Sequence, residues 1–181
     1  MLQPGITGRQ YLLKPWGLAK VMQAYGRLGP QHGTAVLRAL EDRLQLPEVA
    51  QALEPRHAPL IISGFAHAQA IPSEASMTAI TSSLTHNLSD PTTARPSGRS
   101  LPTGCLLSAD ATADAAASLA ELDAGSPELR KLLFDSLCGR AEELSPQAAA
   151  RAIRAAAMFG LLNSVSLRLL ADRLAGNGKE E

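Results

Sequence analysis

Five basic side chains stand on two stretches of this sequence that read alike: Lys14, Lys20 and Arg27 near one end, Arg151 and Arg154 near the other. On the exposed face of a helix such residues hold phosphates, and each contact adds a salt-dependent share of affinity for RNA. An ordinary solvated helix face uses the same residues, so their positions alone do not decide between the two. Side chains that could stack bases are few. Tyr11, Trp16 and Tyr25 belong to types that more often pack in a core or at its rim.

Catalytic chemistry finds no residue support. The sequence contains no P-loop, GxGxxG, GxSxG or HExxH pattern, and Gly5 to Gly8 is too short to cradle a phosphate. His32, His57, His67 and His86 are scattered, and the ten-residue separation of His57 and His67 is not a metal-ligand spacing. The acidic pairs Glu41-Asp42 and Glu142-Glu143 read as solvated faces. Cys105 and Cys138 form no CxxC pattern, and nothing in the sequence places them close enough to bridge, so reduced thiols are the default. The chain is expected not to be an enzyme, with no catalytic residue, metal, cofactor or small-molecule substrate.

The elements that would position the basic residues follow from an internal repeat. Leu13 to Leu44 aligns with Leu144 to Leu174: Pro15 with Pro146, Lys20 with Arg151, Ala24 with Ala155 and Gly29 with Gly160. After a one-residue gap, LRALEDRL matches LRLLADRL at six of eight positions. Each copy reads as two helices and a turn. Pro15 and Pro146 suit a first helical position, Ser145 an N-cap, and Gly29 and Gly160 the left-handed residue that ends a helix. The apolar spacing assigns Val36, Leu37, Leu40 and Leu44 to the buried face of one second helix, and Leu167, Leu170 and Leu174 to the other.

Two weaker copies lie between them. In one, Gly125 is the break and Ser126-Pro127-Glu128 starts the second helix; in the other, the break falls at Pro72. The reading is therefore an all-α, right-handed α-solenoid of about four helix-turn-helix repeats in a single domain, 1–181, with hairpins near 13–44, 57–88, 109–138 and 144–174. A polar insertion rich in Ser, Thr and Pro fills about 89–107, and a frayed tail 175–181.

The stretch LSPQAAARAIRAAAMFGLLNSVSLRLLADRL, with its Leu144-Ser145-Pro146 opening, Gly160 break and Leu-rich ending, resembles the degenerate helical repeats of organellar RNA-associated proteins. These are the octotricopeptide and heptatricopeptide classes, related to the repeats found upstream of RAP domains and in FAST-kinase-like proteins. The resemblance extends over most of the chain and is a pattern of packing residues. It implies a mitochondrial protein of the matrix, or a plastid one, engaged with rRNA or other organellar RNA or built into an organellar ribosome. No RAP domain is visible after Leu174.

Charge bears on that implication independently. The chain has 17 basic and 17 acidic residues among 181, so nothing overall draws it to nucleic acid or an acidic membrane. By region the balance is uneven: residues 1–47 carry a net +4, 48–107 a net −1, 108–143 a net −5 and 144–181 a net +2. Basic ends flank an acidic third hairpin. An apolar content of 45% excludes a disordered chain, and no apolar run approaches the length of a membrane span. The first 27 residues lack Asp and Glu, which is compatible with an organellar presequence, although Lys14 to Arg27 reads as structural.

The expectation is a non-enzymatic component of an organellar ribosome or RNA–protein particle, touching rRNA and neighbouring proteins through a helical-repeat surface, without direct membrane insertion. The alternative is a protein–protein scaffold, an accessory subunit of a mitochondrial membrane complex, docking through the alanine-rich helix Ala148 to Ala157.

Overall fold

The computed structural model describes residues 14–88 and 107–175. Among these residues every regular element is helical. In chain order they are α1 (Pro15–Gly26), α2 (Pro30–Leu44), α3 (Pro47–Gln51), α4 (Ala58–His67), α5 (Glu74–Leu88), α6 (Ala109–Glu121), α7 (Pro127–Gly139), α8 (Pro146–Met158) and α9 (Ser164–Leu174). Local chemistry marks the starts. Proline stands in the first turn of α1, α2, α3, α4, α7 and α8, where a backbone N–H would lack a helical partner anyway. Ser108, Ser126, Ser145 and Asn163 each accept a backbone N–H from the first turn of α6, α7, α8 and α9. Gly29 and Gly160 turn between helices at φ 79° and 68°, a region most side chains avoid.

The span 13–44 holds α1 and α2, 57–88 holds α4 and α5, 109–138 holds α6 and most of α7, and 144–174 holds α8 and α9. Residues 45–57, which carry no repeat signal, add the short α3 and a 3-10 turn, Pro55–His57. The insertion at 89–107 and the tail 175–181 lie outside the described residues except for Leu107 and Ala175, as do Tyr11 and Cys105.

The chain divides into two compact units, Met1–Leu84 and Thr85–Glu181. In the first, α1 packs on its hairpin partner α2 and, more extensively, on α4. Leu18, Met22, Leu37, Leu40, Leu44, Ile61, Ile62 and Phe65 are buried there, each contributing about 1.5–3 kcal/mol of apolar burial. Two glycines set the α1–α4 distance. A Cβ on Gly26 would lie 2.5 Å from Gly64 Cα, and one on Gly64 would lie 2.5 Å from the Met22 carbonyl oxygen. Backbone thus meets backbone, which no larger residue allows.

A buried carboxylate ties α2 to the turn before α5. Glu41 Oε1 accepts the Ser73 N–H at 2.5 Å, and Glu41 Oε2 accepts from Arg38 at 2.7 Å. Arg38 also donates to the Ile71 carbonyl at 2.8 Å. Burial pushes the Glu41 carboxyl upward, but the hydrogen bonds from Ser73, Arg38 and Ser76 outweigh it and hold the group below its usual value.

In the second unit alanine takes over the spacing role that glycine has in the first. Ala109, Ala113, Ala116 and Ala120 of α6 and Ala148, Ala149, Ala152, Ala155 and Ala156 of α8 form one buried cluster with Leu137, Leu144 and Leu170. The alanine face of α8 is therefore consumed within the unit, against α6. Asp110 accepts the Ser145 N–H at 2.9 Å, and Arg173 donates to the Leu144 carbonyl at 3.0 Å.

Two expectations about burial fail. Glu41, read as part of a solvated acidic face, is buried because Ser73 and Arg38 satisfy its carboxylate. Leu170 is fully buried, but Leu167 is 43% and Leu174 44% exposed. Their counterparts Leu37 and Leu44 are covered because α2 packs on α1 and α4 and is followed by α3. Among the described residues, α9 has no such following helix in its unit.

Candidate nucleic-acid interface

The N-terminal helix presents its basic residues on one stripe. Leu18, Ala19, Met22 and Gly26 face inward, which leaves Trp16, Lys20, Ala24 and Arg27 exposed at successive turns, with Lys14 just ahead of them. At 1.5 Å of rise per residue the stripe from Trp16 to Arg27 is roughly 17 Å long. Its first turn contains no acidic residue. Lys14 therefore sits at the positive end of the helix dipole with no acidic residue in that turn to offset it, an arrangement that disfavours the fold and favours a bound phosphate. Arg27, at the opposite end, complements the dipole. Among the described residues none of these three cations forms an ion pair.

The start of α4 completes the surroundings of Trp16. Lys20 Nζ lies 4.7 Å from the Trp16 ring centroid, Arg56 Cζ 5.8 Å from it, and the His57 imidazole packs at 5.9 Å, tilted by 47°. Arg56 is also paired with Glu54 at 2.7 Å. His57 is buried and its Nδ1 accepts the Glu54 N–H at 3.0 Å, so the ring proton sits on Nε2. Burial pushes its pKa down; Glu54 opposes the shift and Arg56 reinforces it, so the ring is neutral near pH 7. Trp16 remains 47% exposed despite these neighbours, which puts it on the rim. Tyr25 is half-buried.

Arg151 of α8 occupies the position of Lys20 in the second unit, and Arg154 lies about one turn further along, with a different outcome. Arg151 Nε lies 2.8 Å from Asp114 Oδ1 and Arg154 Nη1 3.5 Å from Glu121 Oε1, both carboxylates on α6. Burial pushes the Asp114 pKa up, with Arg151 opposing and Asp110 adding to the shift. These half-exposed pairs add about 0–1 kcal/mol each to stability, but they neutralise the stripe. The five candidate residues thus separate into three unpaired cations and two paired ones.

Sequence reasoning missed Arg56 and His57. The available signal was the register of the repeat. Trp16 near the start of α1 meets His57 just before α4, and Gly26 near the end of α1 meets Gly64 late in α4, so the two helices run in the same sense. Residues just before α4 therefore belong beside Lys14 and Trp16.

Among the described residues no three His, Cys, Asp or Glu side chains are grouped to hold a metal, and no helix is long and apolar enough to cross a membrane. Cys138 is a free, partly buried thiol whose pKa is raised by burial and by Asp135. Comparison of the chain with protein-family models, curated proteins and solved structures yields no match.

Proposed function

We propose that this chain is a non-enzymatic structural component of an RNA–protein particle, touching RNA through the exposed stripe of α1 and neighbouring proteins through its remaining helical surface. The observation that carries the reading is the uncompensated set Lys14, Lys20 and Arg27 on one helix face, beside a half-exposed tryptophan. The hairpin repeat is of the right-handed α-solenoid kind. Its resemblance to organellar RNA-associated repeats makes a mitochondrial ribosome the preferred setting, in the matrix, with a plastid particle as the counterpart.

A second reading is a protein–protein scaffold of a mitochondrial membrane complex, without RNA contact. The alanine face of α8 no longer argues for it, because α6 already covers that face. The exposed Val165, Leu167, Leu169 and Leu174 of α9 do favour a protein neighbour, and such a neighbour suits either reading.

The test is RNA binding by the purified chain across a salt series. Replacing Lys14, Lys20 and Arg27 together by Ala should reduce the slope of log K against log salt by about 2, at roughly 0.7 per contact for single strands. Replacing Arg151 and Arg154 should change it by less than half as much. An unchanged slope in the triple variant removes the reading.

A further inference from the structure

We infer that Trp16 is a stacking platform for one unpaired nucleobase of a single-stranded RNA, with Lys14 and Lys20 placed to take the flanking phosphates. The inference rests on the RNA reading above and adds the class of RNA: single-stranded, with a base free to leave its stack.

Four observations converge on this site. Trp16 keeps 47% of its surface exposed at the base of a helix whose own apolar face is fully used by Leu18, Ala19 and Met22, so its indole is not needed for the core. The ring is held rather than loose. Pro15 fixes the backbone immediately before it, and buried His57 packs against it at 5.9 Å from a second element. Lys20, with no carboxylate partner among the described residues, lies 4.7 Å from the ring, and Arg56, paired with Glu54, lies 5.8 Å from it on a second element. Finally, the buried Nε2–H of His57 has no hydrogen-bond partner among the described residues, which leaves an unmet donor beside the indole.

The chemistry of the occupant follows. A flat aromatic face selects a planar π system, and flanking cations select an anion a few ångströms from it. A nucleotide carries both at that separation. On binding, the base takes the ring face that Lys20 shares with solvent, and the ammonium moves along its flexible stem to the adjacent phosphate. A duplex cannot do this, since its bases are already stacked and its phosphates alone reach the cations.

Trp16 is the only tryptophan in the chain, so its emission reports this site directly. The full chain is titrated with a 12-nucleotide single-stranded RNA, the same strand with abasic positions, the matching duplex, and phosphatidylserine vesicles. Stacking should quench the emission saturably with the intact single strand and with no other probe. Trp16→Ala, shown folded by its unchanged thermal unfolding, should weaken binding of the intact strand by about 5- to 100-fold, leave abasic-strand binding unchanged, and be partly rescued by Trp16→Phe. Equal binding of intact and abasic strands, both indifferent to Trp16→Ala, overturns the stacking inference and leaves the phosphate-binding reading standing. Failure of every RNA to bind overturns both, and a blue-shifted response to vesicles alone replaces them with a membrane-surface role.

Discussion

Arg151 and Lys20 occupy the same place in two copies of one repeat, yet Arg151 is bound to Asp114 at 2.8 Å while Lys20 lies over the Trp16 ring with no carboxylate partner among the described residues. The difference comes from the neighbouring first helix. In the second unit that helix is α6, which carries Asp110, Asp114 and Glu121; in the first it is α4, which is preceded by Glu54, Arg56 and His57, with Glu54 paired to Arg56 rather than to Lys20. Equivalent repeat positions therefore carry a neutralised stripe in one unit, where α8 packs on the first helix before it, and an unpaired lysine beside an aromatic ring in the other, where α1 packs on the first helix after it.

Releasing the second stripe should make it behave like the first. Asp114→Asn together with Glu121→Gln frees Arg151 and Arg154 at little cost to stability, since exposed pairs contribute about 0–1 kcal/mol each. RNA affinity at low salt should rise, and the salt slope should steepen by about 1 to 1.5. An unaltered slope would show that α8 lies away from any RNA path.

The glycine crossing makes a sharper prediction about the fold. Gly26→Ala or Gly64→Ala forces α1 and α4 apart and should cost about 1–3 kcal/mol or more in a denaturant titration. Gly139→Ala meets nothing within 4 Å and should be close to neutral. Equal effects at the three positions would contradict the close approach.

Leucines at equivalent repeat positions should differ as their burial does. Leu170→Ala should cost about 2–5 kcal/mol, because it empties a closed site. Leu167→Ala and Leu174→Ala should each cost well under that, about 1 kcal/mol or less, and the exposed pair should instead alter association with a protein neighbour.

Glu41 gives the first unit a pH dependence with a definite sign. Its folded pKa lies below the ordinary value of 4.5, so the unfolded chain binds the proton more readily and stability falls as pH drops through the folded pKa. The contribution is complete above about pH 5. Unfolding followed from pH 6 to pH 3 should show a loss that Glu41→Gln removes, with the variant already destabilised by about 1–3 kcal/mol at pH 6.

Much of this architecture was legible because helix punctuation is local. Pro146 with Ser145, Pro127 with Ser126, and the glycines at 29 and 160 act within one turn of chain, so the starts and stops could be read directly. Burial was legible only where the repeat has a neighbour, which is why Leu167 and Leu174 misled while Leu37 and Leu44 did not. The candidate site was half legible. Lys14, Lys20 and Arg27 stand out by spacing, but the pairing of Arg151 with Asp114 and the placing of Arg56 beside Trp16 depend on which helix packs next to which. That information is long-range: the register of the repeat carries part of it, by bringing the residues before α4 to the start of α1, but not the pairing of Arg151 with Asp114.

The central claim, residence in an RNA–protein particle, is tested most directly by sedimentation of the tagged protein from its own cells, with and without ribonuclease. The account predicts a large particle that ribonuclease collapses and that carries organellar rRNA, and a Lys14, Lys20, Arg27 triple alanine variant that sediments more slowly. A large particle indifferent to ribonuclease, with the triple variant still in place, would contradict the claim and leave the protein scaffold as the function.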